Sequence, residues 1–157
     1  GILAAVGIVA YSGYTASAKV NATRNNHSTI VKFISAEKTK CDTGATDELG
    51  VVEADGTAYA AGNVPECDDN TGNNSATTAD TTFADHFKGK NFRNPFDAGT
   101  FATEVSATAV GAGGACPATE EGCTSITGNG ADLTVLTCLE DDGSACTDSL
   151  QDIVNLQ

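Results

Sequence analysis

The sequence predicts an α+β fold in which a long N-terminal α-helix packs on a small antiparallel β-sheet head with disulfide-tied loops. Three observations predict this class: helical spacing of apolar residues over the first forty positions, strand-like alternation after residue 100, and an even number of cysteines. The chain has 157 residues, of which 40% are hydrophobic, so one domain with a real core is expected. Trp and Met are absent and aromatic residues are few, which is typical of a turn-rich fold with small side chains.

A single helix is predicted over residues 1–40. Its first half, GILAAVGIVAYSGYTASAKV, opens with apolar and small residues and ends in polar ones. Apolar residues then recur at spacings of three and four as far as Ile34, so that one apolar face runs along the helix. The helix is expected to end near Cys41, because Asp42 and Gly44 follow as stop signals.

The apolar start of this helix is too short to cross a bilayer. The run before Ser17 is about 16 residues long, whereas a membrane-spanning helix needs about 20. It has no charged segment before it and no cleavage site, so it is not a signal peptide. We expect it to be the second half of a longer hydrophobic helix that begins upstream of Gly1. Such a helix would first be anchored in a membrane and later be buried against copies of itself, since Gly and Ala permit close helix approach.

The head is predicted to span residues 41–157, with a loop region at 41–99 and a sheet and disulfide region at 100–157. In the loop region the polar stretch DNTGNNSATTAD (69–80) is interpreted as a surface loop. The dipeptide Asp55-Gly56 within VVEADGTAYA predicts a small hairpin. Phenylalanines at intervals of four or five are expected to plug the head against the helix rather than to line a binding groove. They are Phe83, Phe87, Phe92, Phe96 and Phe101.

Two strands are predicted after residue 100 from alternating apolar residues: TFATEVSATAV (100–110) and DLTVLTCL (132–139). The glycine-containing stretch ITGNGAD (126–132) is expected to form a turn or connection. The C-terminal stretch SLQDIVNLQ is compatible with either a short helix or a last strand, and the pattern does not decide between them.

The cysteines predict disulfides and therefore an oxidising compartment. The six are Cys41, Cys67, Cys116, Cys123, Cys138 and Cys146. Neither histidine lies at zinc-ligand spacing from a cysteine, so no metal site is predicted. Six cysteines allow about 15 pairings. We favour pairing them in chain order, because the last two pairs then close the short loops CPATEEGC and CLEDDGSAC.

Charge is unevenly distributed along the chain. Residues 1–40 carry five Lys or Arg against one acid, a net of +4, and residues 41–157 carry three against twenty, a net of −17. An acidic head does not bind nucleic acid directly by releasing counter-ions. The acids are interpreted as a solvated, solubilising surface. The oxygen-rich stretches DDNTGNN (68–74) and EDDGS (140–144) do not match an EF-hand and are interpreted as solvated turns rather than calcium sites.

No catalytic motif is present in the sequence. The chain lacks GxSxG, HExxH and a phosphate-binding glycine loop, and no nucleophile and base occur in a recognisable context. The sequence therefore predicts a protein that is not an enzyme and has no cofactor.

The opening residues carry a family resemblance. GILAAVGIVAYSGYTASAKVNATRNN (1–26) is similar to the N-terminal helix of type IV pilins, where a stretch like GILAA-x-x-IP-x-YQ-x-Y follows a processed hydrophobic start. KNFRNPFDAG (90–99) resembles the Asn-Pro turn that precedes the sheet in pilins and pseudopilins. The sequence differs from the family pattern in two respects. The family's initial Phe and its early Glu would lie upstream of Gly1, and Val9 occupies the place of a proline that accompanies helix unwinding in many members.

This resemblance implies a bacterial structural subunit, the major pilin, that polymerises into an extracellular type IV pilus for adhesion, motility or DNA uptake. Its precursor would be anchored in the inner membrane, where assembly machinery driven by a cytoplasmic ATPase would build the filament. Its partners would be copies of itself and a host or abiotic surface. Residues expected to pack helices in the filament are Gly1, Ile2, Leu3, Val6, Gly7, Val9, Ala10, Tyr11 and Tyr14.

The charge split adds the expectation that Lys19, Arg24 and Lys32 pair with acids on neighbouring heads. Two other interpretations stay open. One is a pseudopilin of a type II secretion system, a group whose major members generally lack this disulfide load and have a calcium loop near the sheet. The other is a secreted or surface-anchored binding module that does not polymerise, in which the first helix would be a simple anchor.

Overall fold

A computed structural model describes residues 2–61, 63–67, 76–105, 120–129 and 132–156, with the backbone alone for residues 2–12, 76–78, 104–105 and 129. Within these ranges the chain forms two helices and four strands: α1 (Ile2–Asp42), α2 (Ala76–Gly89), β1 (Thr103–Val105), β2 (Thr124–Asn129), β3 (Asp132–Asp141) and β4 (Cys146–Asn155). The predicted α+β class is confirmed. No helix in the described part of the chain is both long enough and apolar enough to span a membrane.

The predicted long helix is present, and it ends where its stop signals lie. Gly44 has a φ of 64°, the left-handed conformation that glycine adopts without steric cost. Its N–H donates to the carbonyl of Cys41 at 3.0 Å, and the N–H of Ala45 donates to the carbonyl of Lys40 at 3.0 Å. These two bonds form a Schellman motif, which satisfies carbonyls that the last turn leaves without helical partners.

The strands form one sheet in the order β1-β2-β3-β4. Strands β2, β3 and β4 are antiparallel, whereas the short β1 runs parallel to β2. The predicted strand at 132–139 is confirmed within β3, and the undecided C-terminal stretch is strand β4. Of the strand predicted at 100–110, residues 103–105 form β1, and residues 106–110 lie outside the described residues.

The expectation of a turn at 126–132 was wrong for residues 126–129, which continue β2. Ile126 lies opposite Val135 and Gly128 opposite Leu133, so β3 supplies the ladder partners that hold this glycine-containing stretch extended. Tertiary pairing overrides the weak strand propensity of Gly and Asn here. The remaining residues of the stretch include 130–131, which lie outside the described residues.

The interpretation of residues 41–99 as loop missed α2. Part of the predicted polar loop, residues 76–80, is the first turn of this helix, and residues 69–75 lie outside the described residues. Buried Ala79, Phe83 and Phe87 recur every four residues and give α2 its apolar face, which intervening Thr and Asp obscure in the sequence. The predicted hairpin at Asp55-Gly56 is a tight turn closed by a single antiparallel bridge between Val52 and Ala58.

Both helices pack on the same face of the sheet, with α1 against β3 and β4 and α2 chiefly against β1 and β2. Where the helices meet, the Phe33 ring lies 6.2 Å from the Phe83 ring and 5.5 Å from the Phe87 ring, both edge-on. Phe83 and Phe87 therefore plug the head against α1 as predicted. Phe96 and Phe101 are half-buried and lie instead beneath the cations Lys19 and Arg93.

Two of the favoured disulfides are confirmed. Cys41–Cys67 ties the last turn of α1 to the loop region, and Cys138–Cys146 joins β3 to β4 beside their turn. The third pairing, Cys116–Cys123, involves Cys116, which lies outside the described residues. Each confirmed bond closes a loop and so removes conformational freedom from the unfolded chain.

Candidate functional site

Helix α1 has two parts with different surroundings. From Thr23 onward a buried face contacts the sheet and α2, and its members are spaced by three and four residues. They are Thr23, His27, Ile30, Ile34 and Glu37. Residues 13–19, by contrast, are exposed or half-exposed, and we call them the exposed segment of α1. The helix continues from this segment to Ile2.

Tyr14 is the most exposed large apolar side chain in the described part of the chain, with 75% of its surface accessible. It belongs to the predicted filament-packing set. The other members of that set on α1 lie where only the helical backbone is described, and Gly1 lies outside the described residues. A tyrosine carries a large apolar ring with a polar tip, so Tyr14 is suited to a contact that removes it from water.

The three cations expected at subunit contacts lie on exposed positions of α1. Arg24 Nη2 lies 3.8 Å from Asp148 Oδ2 of its own chain, and both side chains are about half exposed. Lys19 Nζ lies 5.5 Å above the ring of Phe96. Lys32 is exposed. An exposed pair such as Arg24–Asp148 contributes roughly 0–1 kcal/mol and can exchange partners at little cost.

The junction where α1 leaves the sheet is polar. His27 Nδ1 lies 2.7 Å from Thr137 Oγ1, and His27 Nε2 lies 2.8 Å from Asp152 Oδ2. Thr137 Oγ1 lies 2.6 Å from Thr124 Oγ1 on the neighbouring strand. Sequence reasoning missed this cluster, although His27 shares the three-and-four spacing of Ile30 and Ile34. The order Asp152–His27–Thr137 resembles a hydrolytic triad, but Thr137 is fully buried and its hydroxyl has no access to a substrate.

A second buried histidine holds the loop region to the helices. His86 stacks on Phe33 with ring centroids 4.2 Å apart, and its Nδ1 accepts a hydrogen bond from the backbone N–H of Val52 at 3.2 Å. Burial, assisted by the nearby charge of Lys90 and opposed by Glu37, lowers the pKa of His86 from 6.5 to about 4. His86 is therefore neutral at pH 7 and acts as an acceptor.

The buried carboxylate of Glu37 was also missed by sequence reasoning. Its Oε2 accepts a hydrogen bond from the backbone N–H of Gly50 at 2.8 Å, and Lys40 Nζ contacts its Oε1. These two contacts hold the loop after α1 against the helix. They also compensate the cost of burying the charge of Glu37.

Acidic side chains line a surface cavity beside the loop region. A surface cavity of about 520 Å³ is lined by Glu53, Ala54, Asp55, Tyr59, Asn63 and Asp85. Partial burial, with the charges of Asp85 and Glu53, raises the pKa of Tyr59. In the described ranges no group of three or more His, Cys, Asp or Glu side chains is arranged to hold a metal ion. The acidic stretch at 140–144 covers the end of β3 and the start of the β3–β4 turn, where Asp142 Oδ1 accepts the N–H groups of Ser144 and Ala145, each at 2.9 Å.

No family model, curated protein or solved structure matches this chain in comparisons of its sequence and fold. The helix on a small, mostly antiparallel sheet with disulfides is compatible with a pilin-like fold.

Proposed function

We propose that this chain is the major subunit of a type IV pilus and that it polymerises through α1. The observation that carries the proposal is the division of α1 into a half that packs on the head and an exposed segment, residues 13–19, from which the helix continues to Ile2. At about 1.5 Å per residue, a helix of this length extends roughly 60 Å, longer than the sheet it packs on. A helix with an exposed segment is suited to burial against copies of itself.

Assembly would follow from the chemistry of the N-terminal residues. The apolar side chains Ile2, Leu3, Val6 and Val9 would each contribute roughly 1–2 kcal/mol when covered by neighbouring helices. The heads, which carry the net charge of −17, would face solvent and keep the filament dispersed. The two confirmed disulfides support an extracellular location, since such bonds persist in oxidising surroundings.

Electron microscopy of fibres sheared from the source cells, with mass spectrometry of their main component, tests this proposal. We expect thin fibres composed chiefly of this chain, with α1 in their core. A chain that stays in the envelope fraction with secretion-machine proteins would instead indicate a pseudopilin. A chain that forms no fibre and copurifies with no such machinery would indicate an anchored binding module.

The exposed cations provide a second test at the level of subunit contacts. If Lys19, Arg24 and Lys32 pair with acids of neighbouring heads, a Lys19→Ala, Arg24→Ala fibre should dissociate at lower salt than the wild-type fibre. Lys90→Ala, which removes a charge outside α1, serves as the matched control. Unchanged salt resistance in the double variant would show that these cations do not hold subunits together.

A further inference from the structure

A continuous hydrogen-bonded chain crosses the junction between α1 and the sheet. It runs from Asp152 on β4 through His27 on α1 to Thr137 on β3 and ends at Thr124 on β2, with steps of 2.8, 2.7 and 2.6 Å. Three of its four members are at least 96% buried, and only Asp152 reaches solvent. This series of hydrogen bonds therefore joins the helix to three strands in succession, and we call it the junction relay.

When His27 is neutral, the chemistry of its partners sets the direction of each hydrogen bond in the junction relay. An ionised Asp152 can only accept, so His27 Nε2 must carry a proton and donate it. In a neutral imidazole Nδ1 is then an acceptor, and the hydroxyl of Thr137 must donate to it. The oxygen of Thr137 remains free to accept from the hydroxyl of Thr124. Each of the three donors thus has one acceptor, which matches the absence of unsatisfied buried polar atoms in the described residues.

The location of the relay distinguishes it from the other contacts of α1. His27 lies nearly one turn before Ile30, on the side toward the exposed segment, so it is among the last head contacts before the helix emerges. The contacts of Ile30 and Ile34 are apolar, and hydrophobic contact is non-directional. The Arg24–Asp148 pair is exposed and holds its geometry weakly. Hydrogen bonds favour near-linear geometry and can therefore define the angle of the helix. Beside the relay, the one from Asn26 Nδ2 to the carbonyl of Arg93 is longer, at 3.4 Å.

We propose that the junction relay is a positioning device that fixes the rotation and tilt of α1 on the sheet, with the Nε2–H of His27 donating to Asp152. Apolar packing keeps the helix on the sheet, and the relay selects one orientation among those that packing allows. The consequence for a filament rests on the proposed function: each subunit would present its exposed segment at the same angle. The relay itself is a property of the single chain.

Solution NMR of the full 157-residue chain tests the tautomer and the orientation separately. Long-range ¹H–¹⁵N correlations of His27 should show a proton on Nε2; a ring protonated on Nδ1 alone would overturn the donation to Asp152. Residual dipolar couplings of α1 amides, compared with those of β3, report whether one orientation is held. In the wild-type chain we expect a single rigid orientation.

Three variants separate positioning from stability. Thr137→Val keeps the shape but removes the central hydroxyl, and we expect the α1 couplings to decrease roughly twofold relative to β3 through added motion. Thr137→Ser restores the hydroxyl and should restore the couplings. Thr103→Val is the matched control, because Thr103 is equally buried in the same sheet but donates to Ala84 of α2 at 3.2 Å. Its α1 couplings should not change.

The conservative variant His27→Gln provides a further test of the positioning role. Its amide offers an NH₂ group that can donate to Asp152 and a carbonyl oxygen that can accept from Thr137, so it should hold the orientation, whereas His27→Leu should lose it. Equal couplings in Thr137→Val, Thr137→Ser and the wild type would overturn the proposal. Because none of these measurements involves a fibre, failure of the positioning role and failure of polymerisation are distinguishable.

Discussion

Asn94 and Gly122 approach each other more closely than any side chain at position 122 would permit. A Cβ built on Gly122 would lie 1.9 Å from Asn94 Oδ1, and Gly122 has a φ of 83°. Asn94 is buried; its amide nitrogen donates to the carbonyl of Glu121 at 2.8 Å, and its Oδ1 accepts the N–H of Phe96 at 2.8 Å. Asn94, which begins the Asn-Pro turn, therefore joins the segment after α2 to the residues that lead into β2.

Gly122→Ala should be among the more damaging single substitutions in the head. Left-handed backbone costs an Ala about 1–2 kcal/mol, and displacing buried Asn94 adds about 1–3 kcal/mol for hydrogen bonds lost. Gly143→Ala is the matched control, since Gly143 has a φ of 86° but open space around its Cα. Chemical denaturation should show a loss at Gly122 clearly larger than at Gly143. Equal losses would mean that Asn94 moves aside freely.

The depressed pKa of His86 predicts a pH dependence of stability. The unfolded histidine titrates near 6.5 and the folded one at about 4, so between these values the unfolded chain binds more protons. The contribution is complete above pH 6.5 and is lost as the pH falls toward 4. It amounts to at most about 3 kcal/mol, from about 1.4 kcal/mol per pH unit. The free energy of unfolding should therefore decrease from pH 7 to pH 4.5.

The variant His86→Phe isolates this effect from that of the carboxylates. It should be less stable at pH 7, because the N–H of Val52 loses its acceptor. The difference in unfolding free energy between wild type and variant should shrink as the pH falls. A difference that stays constant from pH 7 to pH 4.5 would contradict the assignment of His86 as the titrating group.

Among the elements, helix α1 offers a comparison of two glycines, one in its C-terminal cap and one in its interior. Substitution of each by alanine should change the stability in opposite directions. Gly44 caps the helix with φ 64°, so Gly44→Ala should destabilise the chain by about 1–2 kcal/mol although nothing obstructs its Cβ. Gly13 is an exposed residue inside the helix with open space around it, so Gly13→Ala should stabilise the helix by up to about 1 kcal/mol. Thermal unfolding monitored by circular dichroism measures both, and the same sign for both would refute this account of the cap.

The sequence predicted the elements whose patterns are strong and local. The apolar spacing of α1, its stop at Gly44, the alternation of β3 and the Cys138–Cys146 pairing all depend on residues close together in the chain. The Cys41–Cys67 pairing, with a sequence separation of 26, followed from pairing the cysteines in chain order. Strand β2 was missed because its Gly128 and Asn129 become strand only through pairing with β3. Helix α2 was missed because Thr and Asp mask its apolar face.

The candidate site was predictable only in part, for a related reason. The exposed cations of α1 are evident from the sequence. The junction relay, however, unites Asp152, His27, Thr137 and Thr124 across separations of up to 125 residues. No local pattern links such residues. The one available sign was that His27 shares the spacing of Ile30 and Ile34 but carries a polar side chain that needs partners once buried.

For the whole molecule, the two confirmed disulfides add to the stability that the hydrophobic core provides. In the loop-entropy model the Cys41–Cys67 bond, with a sequence separation of 26, contributes about 3.5 kcal/mol, and the Cys138–Cys146 bond, with a separation of 8, about 2.5 kcal/mol. The double variant Cys41→Ala, Cys67→Ala should therefore lose more stability than Cys138→Ala, Cys146→Ala. Denaturant midpoints measured without reductant compare them, and the reverse order would show that native geometry, not loop length, dominates.

The bond between Cys41 and Cys67 also has a mechanical consequence. When tension is applied to the two ends of the chain, the segment enclosed by this bond cannot extend, even after the head has lost its shape. At about 3.4 Å per extended residue, the bond withholds roughly 90 Å of contour length. A polymer built from such units would lengthen less under load than the same polymer without the bond. The reducing power of the surroundings would then determine how far it stretches.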